Sequence, residues 1–132
     1  MKINFSILLV LLLITGLLSA CQTSSPDTIS ISEQDAGKTI DLKTGDLLEI
    51  SLNGNITTGF NWVPADQDPV LLEQVGEVEV TPASDQLGAP GVIVLTFKAI
   101  SQGQTNLRLE YKQPWDENTT PEETFEITVV IK

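Results

Sequence analysis

Apolar and polar residues alternate in short runs along the chain from about residue 28 to its last residue. The runs are TISIS, KTIDL, LLEISLN, FNWVP, GEVEV, VIVLTFKAI, TNLRLEYK and TFEITVVIK, and most are set off by glycine, proline or polar turn residues. Alternation with a period of two residues is typical of strands that turn one face towards a core. The segment PVLLEQV could form a helical turn, but it is too short to build an architecture on.

Seven to eight short strands without a long helix indicate an all-β domain, organised as an immunoglobulin-like antiparallel β-sandwich. The alternation places Val78 and Val80 inward, and it places Phe60 and Trp62 on the same face of their strand. We therefore predict that Trp62 is a core tryptophan and that Phe60 packs towards the interior near a loop. Tyr111 is predicted to be half-buried and to serve packing.

Residues 1–20 have the pattern of a signal peptide. Lys2 gives a positive start, the run ILLVLLLITGLL has about the length of a signal-peptide core, and small residues precede Cys21. The pattern resembles a bacterial lipoprotein signal, in which cleavage falls before the cysteine and its thiol is lipidated. The alternative is an ordinary secretory signal followed by a chance cysteine.

The lipoprotein interpretation divides the chain into three parts. They are a lipoprotein signal peptide at residues 1–20, a lipidated Cys21 with a polar tether at 21–27, and a folded domain at 28–132. Acyl chains on Cys21 would anchor the protein to a membrane without spanning it. We therefore expect a membrane-anchored lipoprotein of the cell envelope, outside the cytoplasm.

The composition excludes several classes of function. A net charge of −11 argues against nucleic acid as a partner, which requires a basic footprint. The chain has no histidine and one cysteine, which rules out His-dependent triads, Cys–His dyads and the common zinc sites. We expect no metal, no cofactor and no catalytic residue.

Paired carboxylates are the enzymatic possibility that remains. The local pairs are Asp66 with Asp68 and Asp116 with Glu117, each in a polar stretch that contains proline. Neither pair approaches the spacing of a calcium loop. Solvated loops are the simpler interpretation, so the sequence favours a binding protein over an enzyme.

Three segments between the strands differ from ordinary connections. In NITTGF, the two threonines are stiff at χ1 and Gly59 can take a positive φ, so this loop would enter a partner's groove with little ordering cost. In LGAPG, two glycines permit close backbone approach, and in KQPWDEN we expect Trp115 to lie at a loop tip. From the residues alone the alternatives are a compact turn, an inter-strand turn and a tryptophan folded back as an anchor.

The order and spacing of these segments carry a family resemblance. NITTGFNW, then LGAPG followed by VIVLTFKA, then YKQPW, match the Asn-Pro-Thr-Thr-Gly-Phe, Gly-x-Gly-Gly and Arg-Pro-Trp loops of a known family. The chain thus resembles the chagasin-like cysteine peptidase inhibitors over nearly all of residues 28–132. The peptidase-binding loop positions that follow are Asn55, Ile56, Thr57, Thr58, Gly59 and Phe60, then Gly88, Ala89, Pro90 and Gly91, then Gln113, Pro114 and Trp115.

The resemblance implies a mechanism. In the family, an immunoglobulin-like sandwich presents three loops at one end, and these form a wedge that fills the active-site cleft of papain-like cysteine peptidases. We therefore expect a reversible, tight-binding inhibitor that acts as a monomer and performs no chemistry. The alternative is a lipoprotein adhesion or assembly module that binds through sheet edges or faces, in which loop changes would have little effect.

Three positions depart from the family pattern. Ile56 stands where the family has proline, and Pro90 replaces a glycine and removes a backbone N–H. Gln113 replaces an arginine, whose charge the adjacent Lys112 could supply. These departures bear on affinity and on the choice of target, and they leave the expected fold unchanged.

Overall fold

The computed structural model describes residues 25–132. The predicted signal peptide and the predicted lipidation site, Cys21, lie outside this range. The described part contains no helix of the length and apolar character needed to cross a membrane. Its elements are β1 Thr28–Ser32, a 3₁₀ turn Glu33–Asp35, β2 Thr39–Leu42, β3 Leu47–Gly54, a 3₁₀ turn Ile56–Thr58, β4 Asn61–Asp66, β5 Leu72–Pro82, β6 Gly91–Ala99, β7 Gly103–Lys112 and β8 Glu123–Ile131.

The eight strands form two four-stranded sheets, which confirms the predicted sandwich. The strand order is β1-β3-β6-β5 in the first sheet and β2-β8-β7-β4 in the second. Four neighbouring pairs are antiparallel, whereas β1 with β3 and β2 with β8 are parallel. The parallel pairs arise because the chain crosses between β1 and β2 from the edge of one sheet to the edge of the other.

The inward faces of both sheets form a single apolar core. Its most deeply buried side chains, none more than 1% exposed, are Leu48, Ile50, Leu52, Leu72, Ile93, Leu95, Phe97, Ala99, Leu107, Leu109, Ile127 and Val129. Full burial of one such large side chain contributes about 1.5–3 kcal/mol, so the sandwich is stabilised by packing.

Trp62 belongs to this core, as predicted. It is 3% exposed, and its Nε1 donates a hydrogen bond of 2.8 Å to the backbone oxygen of Asn53. Phe60 is half-buried and packs against the core. The rings of Phe60 and Trp62 lie with their centroids 5.5 and 5.3 Å from that of Tyr111. These three aromatic residues support the sandwich end that carries the loops.

Edge strand β5 differs in part from its prediction. The segment PVLLEQV, which could have formed a helical turn, contains one turn only, in which the backbone N–H of Leu72 donates to the backbone oxygen of Asp68 at 2.8 Å. Strand β5 begins at Leu72 itself. Val78 packs against the core as expected. Val80 lies opposite the buried Ile93 but remains 36% exposed, because at this end of the edge strand it borders an open cleft.

The strand directions bring three connections to one end of the sandwich. Strands β3 and β5 both run antiparallel to β6, and β7 ends beside the start of β4. Loop 1 (residues 55–60), loop 2 (83–90) and loop 3 (113–122) therefore leave the sandwich at the same end, and together we call them the wedge. The opposite end, called the far end, holds the turn of residues 43–46 and the start of β1.

Candidate functional site

Loop 1 is a compact turn whose threonines bond to the loop itself. The Asn55 side-chain oxygen accepts hydrogen bonds from the backbone N–H of Thr57 at 3.1 Å and from its hydroxyl at 2.6 Å. The hydroxyl of Thr58 donates to the backbone oxygen of Asn55 at 2.7 Å. Asn55 is thus the N-cap of the 3₁₀ turn, and Ile56, Thr57 and Thr58 are exposed at its tip. The compact turn that the sequence allowed is therefore present, and entry of its exposed tip into a partner's groove stays a prediction.

Gly59 ends this turn in a conformation that favours glycine. Its φ is +81°, and its N–H donates to the backbone oxygen of Ile56 at 3.0 Å. The ring of Trp115 covers it, since a Cβ at Gly59 would lie 2.5 Å from Cη2 of the indole. Glycine is therefore required here both by the backbone and by its neighbour.

Loop 2 is joined to loop 1 by one hydrogen bond. The side-chain Nδ2 of Asn55 donates to the backbone oxygen of Gly88 at 2.9 Å. Gly88 is exposed and has a φ of +81°. Of the two residues after it, Ala89 is half-buried and Pro90 is exposed. Gly91 is different: it is buried as the first residue of β6, where an added Cβ would collide with the backbone oxygen of Thr81. Three of the four predicted loop 2 positions are thus at the surface, and the fourth supports them from below.

Loop 3 places Trp115 at the surface, as the sequence predicted. The indole is 71% exposed although one edge of it rests on loop 1, and Pro114 before it is exposed. The side chain of Gln113 reaches the backbone oxygen of Thr58 at 3.5 Å. The predicted residues of loops 1 and 3 are therefore in direct contact.

The two predicted acidic pairs have different surroundings in the fold. Asp116 accepts hydrogen bonds from the side chain of Thr119 and from the backbone N–H of Asn118, and these bonds lower the pKa of Asp116. Asp66 lies at the end of β4, and Asp68 accepts from the backbone N–H of Val70 at 2.9 Å. Asp68 and Asp116 thus close turns of their own loops.

Lys112 does not replace the family's arginine in the wedge. Its ammonium donates to Glu110 at 2.9 Å along the outer face of the second sheet, and its side chain is 20% exposed. Arg108 bonds to the same carboxylate from the other side. The bond from Arg108 and then that from Lys112 lower the pKa of Glu110. The charge of Lys112 is therefore paired with Glu110 on the sheet and is not presented by the wedge.

An open cleft of about 230 Å³ lies between loops 1 and 2. Ile56, Val80 and Leu87 are among its lining residues, and Leu87 is fully exposed. The sequence singled out the segment LGAPG but assigned no role to Leu87, since a lone leucine in a loop carries no distinctive pattern. Exposed apolar side chains beside a cleft are suited to contact with a partner.

Tyr111 has a role beyond the packing that the sequence predicts. It is 7% exposed, and its hydroxyl accepts from the backbone N–H of Asn55 at 2.7 Å and donates to the backbone oxygen of Asn55 at 3.3 Å. Tyr111 therefore holds the first residue of loop 1 by both backbone groups. Its position two residues before Gln113, within YKQPW, is the signal in the sequence that could have indicated this role.

The wedge presents backbone groups, hydroxyls and apolar side chains to a partner. Among residues 25–132 there is no group of three or more histidine, cysteine, aspartate or glutamate side chains that could hold a metal ion. The exposed tip consists of Ile56, Thr57, Thr58 and Trp115, which carry no charge. These residues therefore form an uncharged, exposed surface at this end of the sandwich.

The comparison with known sequences identifies the family of such a wedge. The sequence model for Chagasin family peptidase inhibitor I42 matches residues 41–129, a range that includes all three loops. The chain belongs to the chagasin family. This is a family of protease inhibitors and not of enzymes.

Relatives and solved structures agree with this assignment. Amoebiasin-1 of Entamoeba histolytica is 30% identical over 104 residues, which cover 79% of this chain and 100% of the relative. The crystal structure of the cysteine protease inhibitor EhICP2 from Entamoeba histolytica is similar with a TM-score of 0.69 and 23% identity, over 80% of this chain and 96% of the other. The structure of PbICP-C, solved in complex with falcipain-2, is similar with a TM-score of 0.52 and 19% identity, over 80% and 99%. At these identities the two structures establish the common fold.

Proposed function

We propose that this chagasin-family protein is a reversible, tight-binding inhibitor of papain-like cysteine peptidases. The observation that carries the proposal is the wedge: loops 1, 2 and 3 leave one end of the sandwich and are joined to one another by Asn55 and Trp115. The structural relatives support the choice of target class, since one is described as a cysteine protease inhibitor and another was solved with falcipain-2.

The mechanism we propose is occlusion of the peptidase active site. The exposed turn of loop 1, with Thr57 and Thr58 at its tip, would enter the cleft near the catalytic cysteine, and loops 2 and 3 would cover the cleft on either side. Trp115, exposed next to that turn, would pack against the rim. Complexes of this kind bury about 1,600 Å² in total, which three adjacent loops can provide. Because loop 1 already holds its shape, little conformational entropy is lost on binding.

The departures from the family pattern act on this mechanism in different ways. Ile56 and Pro90 are both exposed, so each would meet the peptidase with an apolar surface. Gln113 carries no charge and Lys112 is committed to Glu110, so the tip of loop 3 offers no cation. Without a cation at this tip, the contact made by loop 3 would depend on the shape and apolar surface of Pro114 and Trp115.

A titration of peptidases with the protein tests this function. We expect stoichiometric, reversible inhibition of at least one of several papain-like enzymes and no inhibition of a serine peptidase used as control. Absence of inhibition across the papain-like set would contradict the proposal. An adhesion module would bind its partner without inhibiting any of these enzymes.

We also propose that Cys21 is lipidated and that the protein is a membrane-anchored lipoprotein of the cell envelope. The arrangement at the far end is compatible with such an anchor, because the backbone N–H of Asp27 is fixed to Asp46 there, opposite the wedge. A tether that enters at this end would leave the wedge free to meet a peptidase.

The anchor is tested by replacing Cys21 with serine. We expect the Cys21→Ser variant to be released from the membrane fraction or to keep its signal uncleaved, whereas the parent is cleaved and remains with the membrane. A variant that is processed and retained like the parent would show that the anchor proposal is wrong.

A further inference from the structure

We propose that Tyr111 and Asn55 are positioning residues that hold the wedge in its binding shape without touching the peptidase. The inference rests on the proposed inhibitory function and concerns two residues that fix loops 1 and 2 to the sandwich and to each other. We call the pair, with its hydrogen bonds, the Tyr111–Asn55 brace.

The brace joins the sandwich to loop 1 at two points. The Tyr111 hydroxyl bonds to both backbone groups of Asn55, at 2.7 and 3.3 Å, and its ring packs against the rings of Phe60 and Trp62. Because the ring is packed in the core and 7% exposed, the hydroxyl has a fixed position. It thus fixes the residue at which loop 1 leaves β3.

The side chain of Asn55 restrains both loop 1 and loop 2. Its oxygen caps the 3₁₀ turn through Thr57, and its nitrogen donates to the backbone oxygen of Gly88 in loop 2. Both polar atoms of the amide are therefore used within the molecule. Asn55 differs from Thr58 in burial: Asn55 is half-buried, whereas Thr58, whose hydroxyl also bonds within loop 1, is exposed at the tip.

The consequence concerns the rate of association. A loop that holds its binding shape only part of the time binds with an affinity reduced by that fraction. When exchange between shapes is fast, loss of the brace lowers the association rate constant by the same fraction and leaves the dissociation rate constant unchanged, because the peptidase holds the loop in the complex. Loss of a direct contact has the opposite signature, since it acts mainly on dissociation.

The test compares Tyr111→Phe and Asn55→Ser with the parent, as full chains, against one inhibited papain-like peptidase. Tyr111→Phe keeps the packed ring and removes the hydroxyl. Asn55→Ser keeps an N-cap oxygen and removes the donor to Gly88. For each we expect a higher inhibition constant, by up to about fivefold to tenfold, the limit set by the value of one hydrogen bond, with the whole change in the association rate. Hydrogen exchange of residues 53–60 in the free protein should also become faster.

Val129→Ala is the matched control, because it truncates a fully buried core residue outside the wedge. It should lower the melting temperature while the inhibition constant and both rate constants remain as in the parent. The proposed role of the brace would be wrong if Tyr111→Phe had an unchanged inhibition constant. It would also be wrong if either variant changed only the dissociation rate constant.

Failure of the parent to inhibit any peptidase would count against the proposed function alone. The exchange measurement then decides the brace: faster exchange of residues 53–60 in both variants, absent from Val129→Ala, supports it, and unchanged exchange overturns it.

Discussion

The indole of Trp115 lies over Gly59, so close that a Cβ at Gly59 would stand 2.5 Å from the ring carbon Cη2. The two residues belong to different loops, and Gly59 has a φ of +81°. Loop 3 can therefore rest on loop 1 only because loop 1 has no side chain at this position. Through this contact, the turn that carries Thr57 and Thr58 and the side chain of Trp115 form one continuous surface.

Gly59→Ala should weaken inhibition by displacing Trp115. The positive φ costs an alanine about 1–2 kcal/mol of stability, and the added methyl group must also push the indole aside. Gly37→Ala is the matched control, since Gly37 has a φ of +78° and no atom within 4 Å of an added Cβ. We expect a loss of melting temperature in both variants, at least as large in Gly59→Ala, but weaker inhibition and altered tryptophan fluorescence only in Gly59→Ala. Equal inhibition by the two variants would contradict this contact's role.

Thr58→Asp should abolish most of the inhibition and leave the fold intact. Thr58 is exposed, so the sandwich tolerates the charge, although the variant loses the hydroxyl bond to Asn55. In the peptidase cleft the carboxylate would lose its water at a cost of several kcal/mol unless it finds a partner. Thr44→Asp introduces the same charge at an exposed position of the far end and should inhibit like the parent. The measurements are the inhibition constant and the melting temperature of each variant. Undiminished inhibition by Thr58→Asp would place loop 1 outside the interface.

Trp115→Ala should weaken peptidase binding by about 2 kcal/mol or more, which is about thirtyfold in the inhibition constant. The change should appear mainly as faster dissociation, because an exposed tryptophan contributes through contact. Val70→Ala, which truncates a 68% exposed valine at the far end, is the control and should change neither binding nor stability. If both variants inhibit equally well, Trp115 is not part of the binding surface.

Trp62→Ala should cost about 3–5 kcal/mol of stability, because it leaves a cavity in the core and removes the bond to Asn53. Trp62→Phe keeps most of the volume and loses mainly that bond, so its cost should be much smaller. Urea unfolding of the two variants and the parent gives the free energies. Similar unfolding energies for Trp62→Ala and the parent would contradict the assignment of Trp62 to the core.

Asp46 should make stability depend on pH at the far end of the sandwich. Its carboxylate accepts backbone N–H bonds from Lys43 at 2.8 Å and Asp27 at 3.1 Å, and the bond from Lys43 is the main cause that lowers the pKa of Asp46. Because the folded-state pKa lies below the unfolded value of about 3.9, this stabilisation is present above that value and is lost as the pH falls through the folded-state pKa.

Asp46→Asn tests this expectation. The variant should unfold more easily than the parent at pH 7. The difference should shrink as the pH falls below about 4, the unfolded-state pKa of an aspartate, and on through the lower folded-state pKa of Asp46. Thermal unfolding across the acidic range measures it. A difference between variant and parent that stays constant down to the lowest pH would show that the charge of Asp46 contributes nothing.

The strands could be predicted from sequence because their signal is local. Apolar residues at every second position, as at Leu48, Ile50 and Leu52, indicate which face of a strand is buried, and turn residues mark most of the strand ends. The exposed Trp115 was also predictable, since a proline before it and polar residues after it exclude a strand. Local patterns say nothing about which strand lies beside which, so the two parallel pairs were not foreseen.

The sequence by itself determined an all-β sandwich, a core tryptophan at Trp62 and three distinctive loops. Only the tertiary structure decided that Lys112 bonds to Glu110 and not within the wedge, that Gly91 lies beneath loop 2, and that Tyr111 holds Asn55. The reason is physical. Tyr111 and Asn55 are 56 residues apart in the chain, and their hydrogen bonds exist only because β7 and the end of β3 are brought together by the packing of the two sheets.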